Sequence, residues 1–333
     1  MIKLTILNTP KRRRIIWALA FLFIFIAITP FGNQDAVQYI ERTSGQLKTE
    51  KIAGEAWLRW LYQNPVGEAT LSTLVKRKFV SEWYGNMMDS PDSKDKIASF
   101  VDEYQIDLSQ AEKQYFKSFN DFFTRKLKPE FRPVNQDRNV VVSPGDGKLL
   151  AFADISNQDF FVKGYRFQLG EFLQNDSLTN VFQHGSLMIL RLCPTDYHRY
   201  HFPVGGEVIG EWKIDGDYYS VSPIALRKKI ELLVQNKREY AVINTAEFGS
   251  VLMSEVGATL VGSMVNTYPS NFVIKGEERG YFKFGGSTIV LIFQKDKLVI
   301  DADLIQNTIS GLETEVKMGE RIAIKTTSFC SRN

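Results

Sequence analysis

The chain has 333 residues, 44% of them hydrophobic, and a formal net charge of +3. That is enough apolar material for one large domain or two modest ones. Lys and Arg are matched by Asp and Glu along most of the chain, which excludes a nucleic-acid electrostatic footprint, and two distant cysteines, Cys193 and Cys330, exclude a disulfide framework or a CxxC metal knuckle.

The first predicted element is a membrane anchor over residues 1–34. Lys11-Arg12-Arg13-Arg14 precedes Ile15 to Phe31, an uncharged stretch of 17 residues at the short end of what spans a bilayer. A cleaved signal peptide is the competing reading, but the only small-residue step, Ala27-Ile28-Thr29, is followed by Pro30, which disfavours cleavage. The expected location is the cell (inner) membrane with a single N-terminal anchor. The basic flank favours the rest of the chain lying outside the cytoplasm, and the side of the catalytic domain stays open.

Residues 37–52 alternate around Thr43-Ser44-Gly45 and predict a small hairpin. From Gly54 to about Leu127 the pattern is helical, with Trp57, Leu58, Trp60 and Leu61 on one face. Ser118-Phe119-Asn120-Asp121 has the form of a capping box ahead of Phe122-Phe123. Trp17, Trp57, Trp60 and Trp83 crowd this first quarter, interleaved with Lys76-Arg77-Lys78. Two readings stand: core aromatics of a helical cap, or a face at the lipid interface. Residues 35–134 are therefore expected to form a helical, membrane-proximal region.

From Val140 the period changes to short strands between glycine turns, among them Leu187–Leu192, Tyr240–Ile243, Val251–Ser254 and Ile289–Phe293. The expected fold class is α+β: an N-terminal helical region packed on a mostly antiparallel β core spanning 135–333, preceded by one transmembrane helix.

Three short motifs carry candidate chemistry. Asp146 lies in Ser143-Pro144-Gly145-Asp146-Gly147, where an acid between glycines is ordinarily a turn residue. His198 and His201, two of only three histidines, stand three apart in a proline-bracketed segment, Pro194 to Pro203. They suit a metal pair, a base with a helper, or polar loop residues. Ser287 follows Gly285-Gly286 at the mouth of the apolar run Ile289–Phe293, where it either caps a strand or attacks its own backbone. Together, acid, imidazole and serine supply a nucleophile–base–orienter set. No G-x-S-x-G elbow occurs, so an ordinary α/β-hydrolase is disfavoured.

These segments, with V-G-A-T-x-V-G-S at 256–263, K-G-E-E-x-G-x-F…G-G-S-T at 275–288 and SFNDFFTRKL at 118–127, resemble phosphatidylserine decarboxylase from about residue 37 onward. Gly285 replaces a common Leu, and Glu130-Phe131 replaces a common Gly-Ala. The resemblance implies a self-cleaving proenzyme. His201 takes the proton of Ser287, Asp146 fixes the imidazole, and Ser287 attacks the Gly286 carbonyl. The ester then eliminates to dehydroalanine, which hydrolyses to a pyruvoyl group with loss of ammonia. The products are a β chain (1–286) and an α chain (287–333). The covalent pyruvoyl cofactor forms a Schiff base with phosphatidylserine, CO2 leaves, and phosphatidylethanolamine results. His198 is implied in the decarboxylation step, either protonating the carbanion or orienting the carboxylate. The implied partners are phosphatidylserine and membrane lipid, the sister chain, and a second copy in a homodimer; no metal and no nucleic acid is expected. Three alternatives stay open: a decarboxylase of a free amino acid, a membrane-anchored hydrolase with metal on Asp196, His198 and His201, and a tethered β-domain with only a binding role.

Overall fold

The computed structural model describes residues 10–32, 35–156, 168–226, 232–258 and 264–326. Cys330 and Thr259 to Ser263 of the V-G-A-T-x-V-G-S segment lie outside them.

Helix α1 (Pro10–Ile28) corrects the predicted anchor. No helix among the described residues is long and apolar enough to cross a membrane. The four basic residues occupy the first turns of α1, and Pro30 cannot continue a helix and biases its predecessor away from helical dihedrals. The uncharged helix that remains, Ile15 to Ile28, is about 21 Å long at 1.5 Å per residue, against a hydrocarbon core of about 30 Å. The transmembrane part of the expected fold class and the single-anchor location in the cell (inner) membrane are both overturned by this. Its C-terminal carbonyls are instead met by side chains: Asn64 Nδ2 donates to the carbonyls of Ile26 at 2.7 Å and Thr29 at 3.0 Å, and Trp60 Nε1 to that of Ala27 at 2.8 Å.

A hairpin of β1 (Gln38–Glu41) and β2 (Gln46–Thr49) turns at Gly45, whose φ of 67° favours glycine. The helical stretch follows as α2 (Glu55–Gln63), α3 (Pro65–Thr70), α4 (Lys78–Asp89), α5 (Asp95–Tyr104) and α6 (Phe119–Phe123). The expected cap of α6 is present, Ser118 Oγ accepting from the N–H of Asp121 at 3.2 Å. Neither reading of the tryptophans fits all of them. Trp57 and Trp83 are exposed, whereas Trp60 is half-buried and stacked on Trp57 at 5.0 Å.

Next come β3 (Val140–Val142), β4 (Gly147–Phe152), α7 (Leu169–Leu173), α8 (Asp176–Phe182), β5 (Ser186–Leu192), β6 (Arg199–His201) and β7 (Gly206–Ile214). The rest of the chain contributes α9 (Pro223–Leu226), α10 (Leu232–Gln235), β8 (Arg238–Thr245), β9 (Gly249–Val256), β10 (Met264–Asn266), β11 (Phe272–Val273), β12 (Glu278–Phe282), β13 (Ser287–Phe293), β14 (Leu298–Ile300), α11 (Ala302–Ile309), β15 (Glu313–Val316) and β16 (Arg321–Lys325). Ten strands form one sheet in the order β11-β7-β8-β9-β13-β5-β4-β15-β1-β2, antiparallel except between β1 and β15. Two three-stranded sheets, β10-β12-β6 and β14-β16-β3, complete the sheets among the described residues. The run Ile289–Phe293 belongs to β13, an interior strand buried on both faces, which is why it reads as continuous rather than alternating apolar residues.

Candidate active site

Ser287 opens β13 opposite Leu192 of β5 and is fully buried. Residues 287 and 289 share a face of the strand. On that face lies the Ser-Pro-Gly-Asp turn: a Cβ on Gly145 would stand 3.6 Å from Leu190 Cδ2 and 3.7 Å from Ile289 Cδ1. The same turn holds β6, because the N–H of His201 donates to the Pro144 carbonyl at 2.8 Å. One packed turn thus brings Asp146, His201 and the serine-bearing strand into a single region. Ahead of the serine, Gly285 has φ 142°, a value that L side chains rarely adopt. A Cβ on Gly286 would come within 3.3 Å of Val221 Cγ2.

The charges are arranged differently from the expected relay. Asp146 accepts from Arg132 Nε at 2.8 and 3.0 Å, from a further Arg132 nitrogen, and from the N–H of Met318 at 2.9 Å. His201 has partners on both ring nitrogens. Nδ1 lies 3.0 Å from the Gly276 carbonyl, which can only accept, so Nδ1 carries the proton and Nε2 receives the Tyr197 hydroxyl at 3.1 Å. Burial lowers the pKa of His201, favouring the neutral ring. Among the described residues, neither Asp146 nor Ser287 hydrogen-bonds to His201.

His198 sits on the side of the glycine pair. Its Nδ1 donates to the Asp196 carbonyl at 2.9 Å, its carbonyl accepts from the N–H of Phe282, and its ring packs on Phe123 with centroids 3.9 Å apart. Burial pushes it down to about 4. The α6 segment also steers the approach to the serine: Phe123 and Phe119 meet Phe284 edge-on, and Asn120 Oδ1 accepts from the N–H of Phe284 at 2.8 Å.

Among the described residues, four buried side-chain polar atoms lack any partner: Ser287 Oγ, Thr288 Oγ1, His198 Nε2 and Arg125 Nε. Such atoms are rare in folded proteins, and each calls for an explanation in an ordered water, a ligand or a catalytic role. Two are adjacent at the head of β13. A third is on His198, beside the Phe284–Gly286 approach. A cavity of about 360 Å³ reaches Gly285 and Gly286 and is walled mainly by apolar side chains, among them Trp57, Leu58, Tyr84 and Phe100.

Behind the site runs a buried ion network. Arg191 pairs with Glu50 at 2.6 Å and with Glu313, while Lys148 reaches Asp196 at 3.2 Å and Glu315 at 3.6 Å. Burial disfavours the Asp196 carboxylate, but Lys148 and Lys317 outweigh it and hold the group at about 2. The carboxylate is engaged by Lys148 and by the N–H of Cys193.

The model of the family described as phosphatidylserine decarboxylase matches residues 119–324, more than half of the chain. The chain belongs to this family. Curated relatives agree: it is 50% identical over 293 residues to the phosphatidylserine decarboxylase proenzyme of Fusobacterium nucleatum, covering 87% of this chain and 98% of that one. The proenzymes of Clostridium botulinum and Clostridium perfringens are 47% and 45% identical over equal lengths, with 99% and 100% of their chains covered. The present chain is thus a phosphatidylserine decarboxylase, a carboxy-lyase.

For this decarboxylase the sequence motifs pointed to Asp146, His198, His201 and Ser287. They did not point to Arg132, Tyr197, Asn120 or Arg125, which supply the hydrogen bonds and charge around them. Asn120 and Arg125 stand within SFNDFFTRKL and Tyr197 beside His198, so each was in a quoted motif. Arg132 sits in the loop where the sequence departs from the common pattern, and only the fold brings it to Asp146, 14 residues on.

Proposed function

We propose that this decarboxylase matures by cutting its own backbone between Gly286 and Ser287, giving a β chain of residues 1–286 and an α chain of residues 287–333, with the former serine becoming a pyruvoyl group. The observation that carries the reading is the buried, unpartnered Oγ of Ser287 directly behind two glycines. A hydroxyl in such a place has no structural partner to hold, and its nearest electrophile is the preceding peptide carbonyl. His201, neutral and with its basic nitrogen at Nε2, is the assigned proton acceptor. Asp146, on the turn whose Pro144 carbonyl holds the N–H of His201, favours the imidazolium through its field alone, because its carboxylate is paired with Arg132. Oγ adds to the Gly286 carbonyl and the C–N bond to Ser287 breaks. Loss of the Ser287 Cα proton then expels the Gly286 carboxylate, and water replaces the nitrogen as ammonia.

The residues present suit the prosthetic group: it is built in place from Ser287, its neighbours at β5 and β9 exclude bulk water, and the cavity beside Gly285 and Gly286 leaves room for the lipid headgroup. When formed, the group supplies an electron sink for the pair released as CO2 departs. His198 is assigned to the decarboxylation step as proton donor to the product carbon or orienter of the carboxylate; with its Nδ1–H given to the Asp196 carbonyl, the partner-free Nε2 must first take up a proton to serve in either role. The division of the molecule into a helical region (35–134) and a catalytic core (135–333) belongs to the same reading. So does a homodimer, for which Phe272 and Ile274, exposed at the β11 edge, are candidate contact residues.

Denaturing electrophoresis with mass spectrometry tests the cut. Wild type should give two chains with a blocked N-terminus on the small one, and Ser287→Ala a single chain. Intact wild type with full activity would refute the scheme. Release of CO2 from liposomal phosphatidylserine, and not from free serine, separates the lipid reading from that of a free amino-acid decarboxylase. Size-exclusion chromatography tests the homodimer.

A further inference from the structure

Arg125 is a buried cation with no counter-ion. Its side chain is 6% exposed, its Nε has no partner, and no ion pair to it occurs among the described residues. Its contacts are a 3.4 Å approach of a terminal nitrogen to the Phe122 carbonyl and a stack over the Phe122 ring at 5.0 Å. The two acids whose fields reach it are otherwise engaged, Asp146 by Arg132 and Asp196 by Lys148. Burial lowers it to about 10, so it stays protonated at neutral pH. A desolvated guanidinium left this way is costly unless an anion completes it.

Its place in the fold says where that anion comes from. Phe123, two residues before it, lies against the His198 ring at 3.9 Å, and the Thr124 carbonyl accepts from Arg199 Nε at 2.8 Å. Residues 123–125 therefore run along residues 198–199, and the charge of Arg125 is felt at His198. Of the four unpartnered buried atoms, Arg125 Nε is the only one on a permanent cation.

We propose that Arg125 binds the phosphodiester of the phosphatidylserine headgroup. The proposal rests on the assignment of the Gly286–Ser287 junction as the reaction centre. The headgroup carries two anions, and chemistry selects between them. The carboxylate must lose its charge as CO2 leaves, so a guanidinium paired with it would hold the ground state back. The phosphodiester keeps its charge from substrate to product, so pairing it with Arg125 anchors the lipid without opposing the step. The planar fork of arginine suits two phosphate oxygens at once, which a lysine does not match.

The test compares Arg125→Gln and Arg125→Lys with wild type, each first shown to split into two chains. For Arg125→Gln, KM for phosphatidylserine in mixed micelles should rise about 10- to 100-fold while kcat changes less than threefold. Arg125→Lys should fall between. Glycerophosphoethanolamine, which has the phosphodiester and no carboxylate, should inhibit wild type competitively and lose potency by a similar factor in Arg125→Gln. An unchanged KM would overturn the proposal. So would undiminished inhibition by glycerophosphoethanolamine, which would move Arg125 to the carboxylate. Failure of both variants to split would assign Arg125 to maturation and overturn it as well. A measurement on wild type alone guards against misfolded variants: glycerophosphoethanolamine must inhibit at least tenfold better than ethanolamine, and equal inhibition refutes a phosphodiester site. Failure of wild type to split would strike the junction assignment instead, so the two are distinguishable.

Discussion

The Tyr197 hydroxyl donates to Nε2 of His201 at 3.1 Å, occupying the lone pair that would take the proton of Ser287. On the proposed assignment of His201 as the base, it is engaged in the uncut chain by a neighbour four residues away. Tyr197→Phe should release it. A neutral hydrogen bond worth about 0.5–1.5 kcal/mol corresponds to splitting roughly 2- to 12-fold faster. The half-time of α-chain appearance on denaturing gels measures this, and slower splitting would mean that the hydroxyl relays the proton.

The pH dependence of splitting should follow His201. Burial places its pKa below the ordinary value of about 6.5, so the ring is neutral at pH 7 and above. The rate should be flat from about pH 7 to 8 and fall only as pH drops through the lowered pKa. A rate already falling between pH 8 and 7 would contradict the assignment of His201 as base.

His198 should make the fold sensitive to acid. Its folded pKa of about 4 lies below the unfolded value of about 6.5. Between these values the unfolded chain binds the extra proton, so stability is full above pH 6.5 and declines as pH falls towards 4. The loss is on the order of 3 kcal/mol. Urea midpoints of wild type and His198→Gln at pH 7 and pH 4.5 test it: the variant should lose less on acidification.

Gly286→Ala should slow splitting through contact alone. The added methyl would meet Val221 Cγ2 at 3.3 Å, so the Val221 side chain must give by a few tenths of an ångström to admit it. Val221→Ala in the same chain should restore much of the rate. If it restores none, the effect lies in the carbonyl's environment and not in space.

Removing Arg191 should be among the most destabilising changes. It would strand Glu50 and Glu313, both carboxylates facing a buried site, at a cost of about 3–5 kcal/mol. Thermal unfolding of Arg191→Gln should show a markedly lower midpoint than wild type.

The parts of the site that were legible in the sequence are those with local signatures. Gly285, Gly286 and Ser287 stand before a β-branched run, and the strand was visible because a segment buried on both faces has no polar alternation to obscure it. The cap at Ser118 was equally local. The pairing of Arg132 with Asp146 depends on a loop conformation, and the burial of Arg125 on residues 123–125 lying along residues 198–199, so neither had a periodic or short-range cue. The anchor was misjudged because a hydropathy stretch ignores where a helix stops: Pro30 and the basic first turns shorten the apolar rod below a bilayer's thickness.

The sheet order has a consequence for the matured molecule. With a cut before Ser287, β13 and β15 belong to the small fragment, while β5 and β4, which lie between them, belong to the large one. The fragments are interleaved like the fingers of two hands. Separating them requires tearing, among the described residues, five strand pairings: β9–β13, β13–β5, β4–β15, β1–β15 and, in a smaller sheet, β3–β16. Halves produced apart would have to open a finished sheet to join, so an active enzyme should be obtainable from the continuous precursor and not from a mixture of its separately folded pieces.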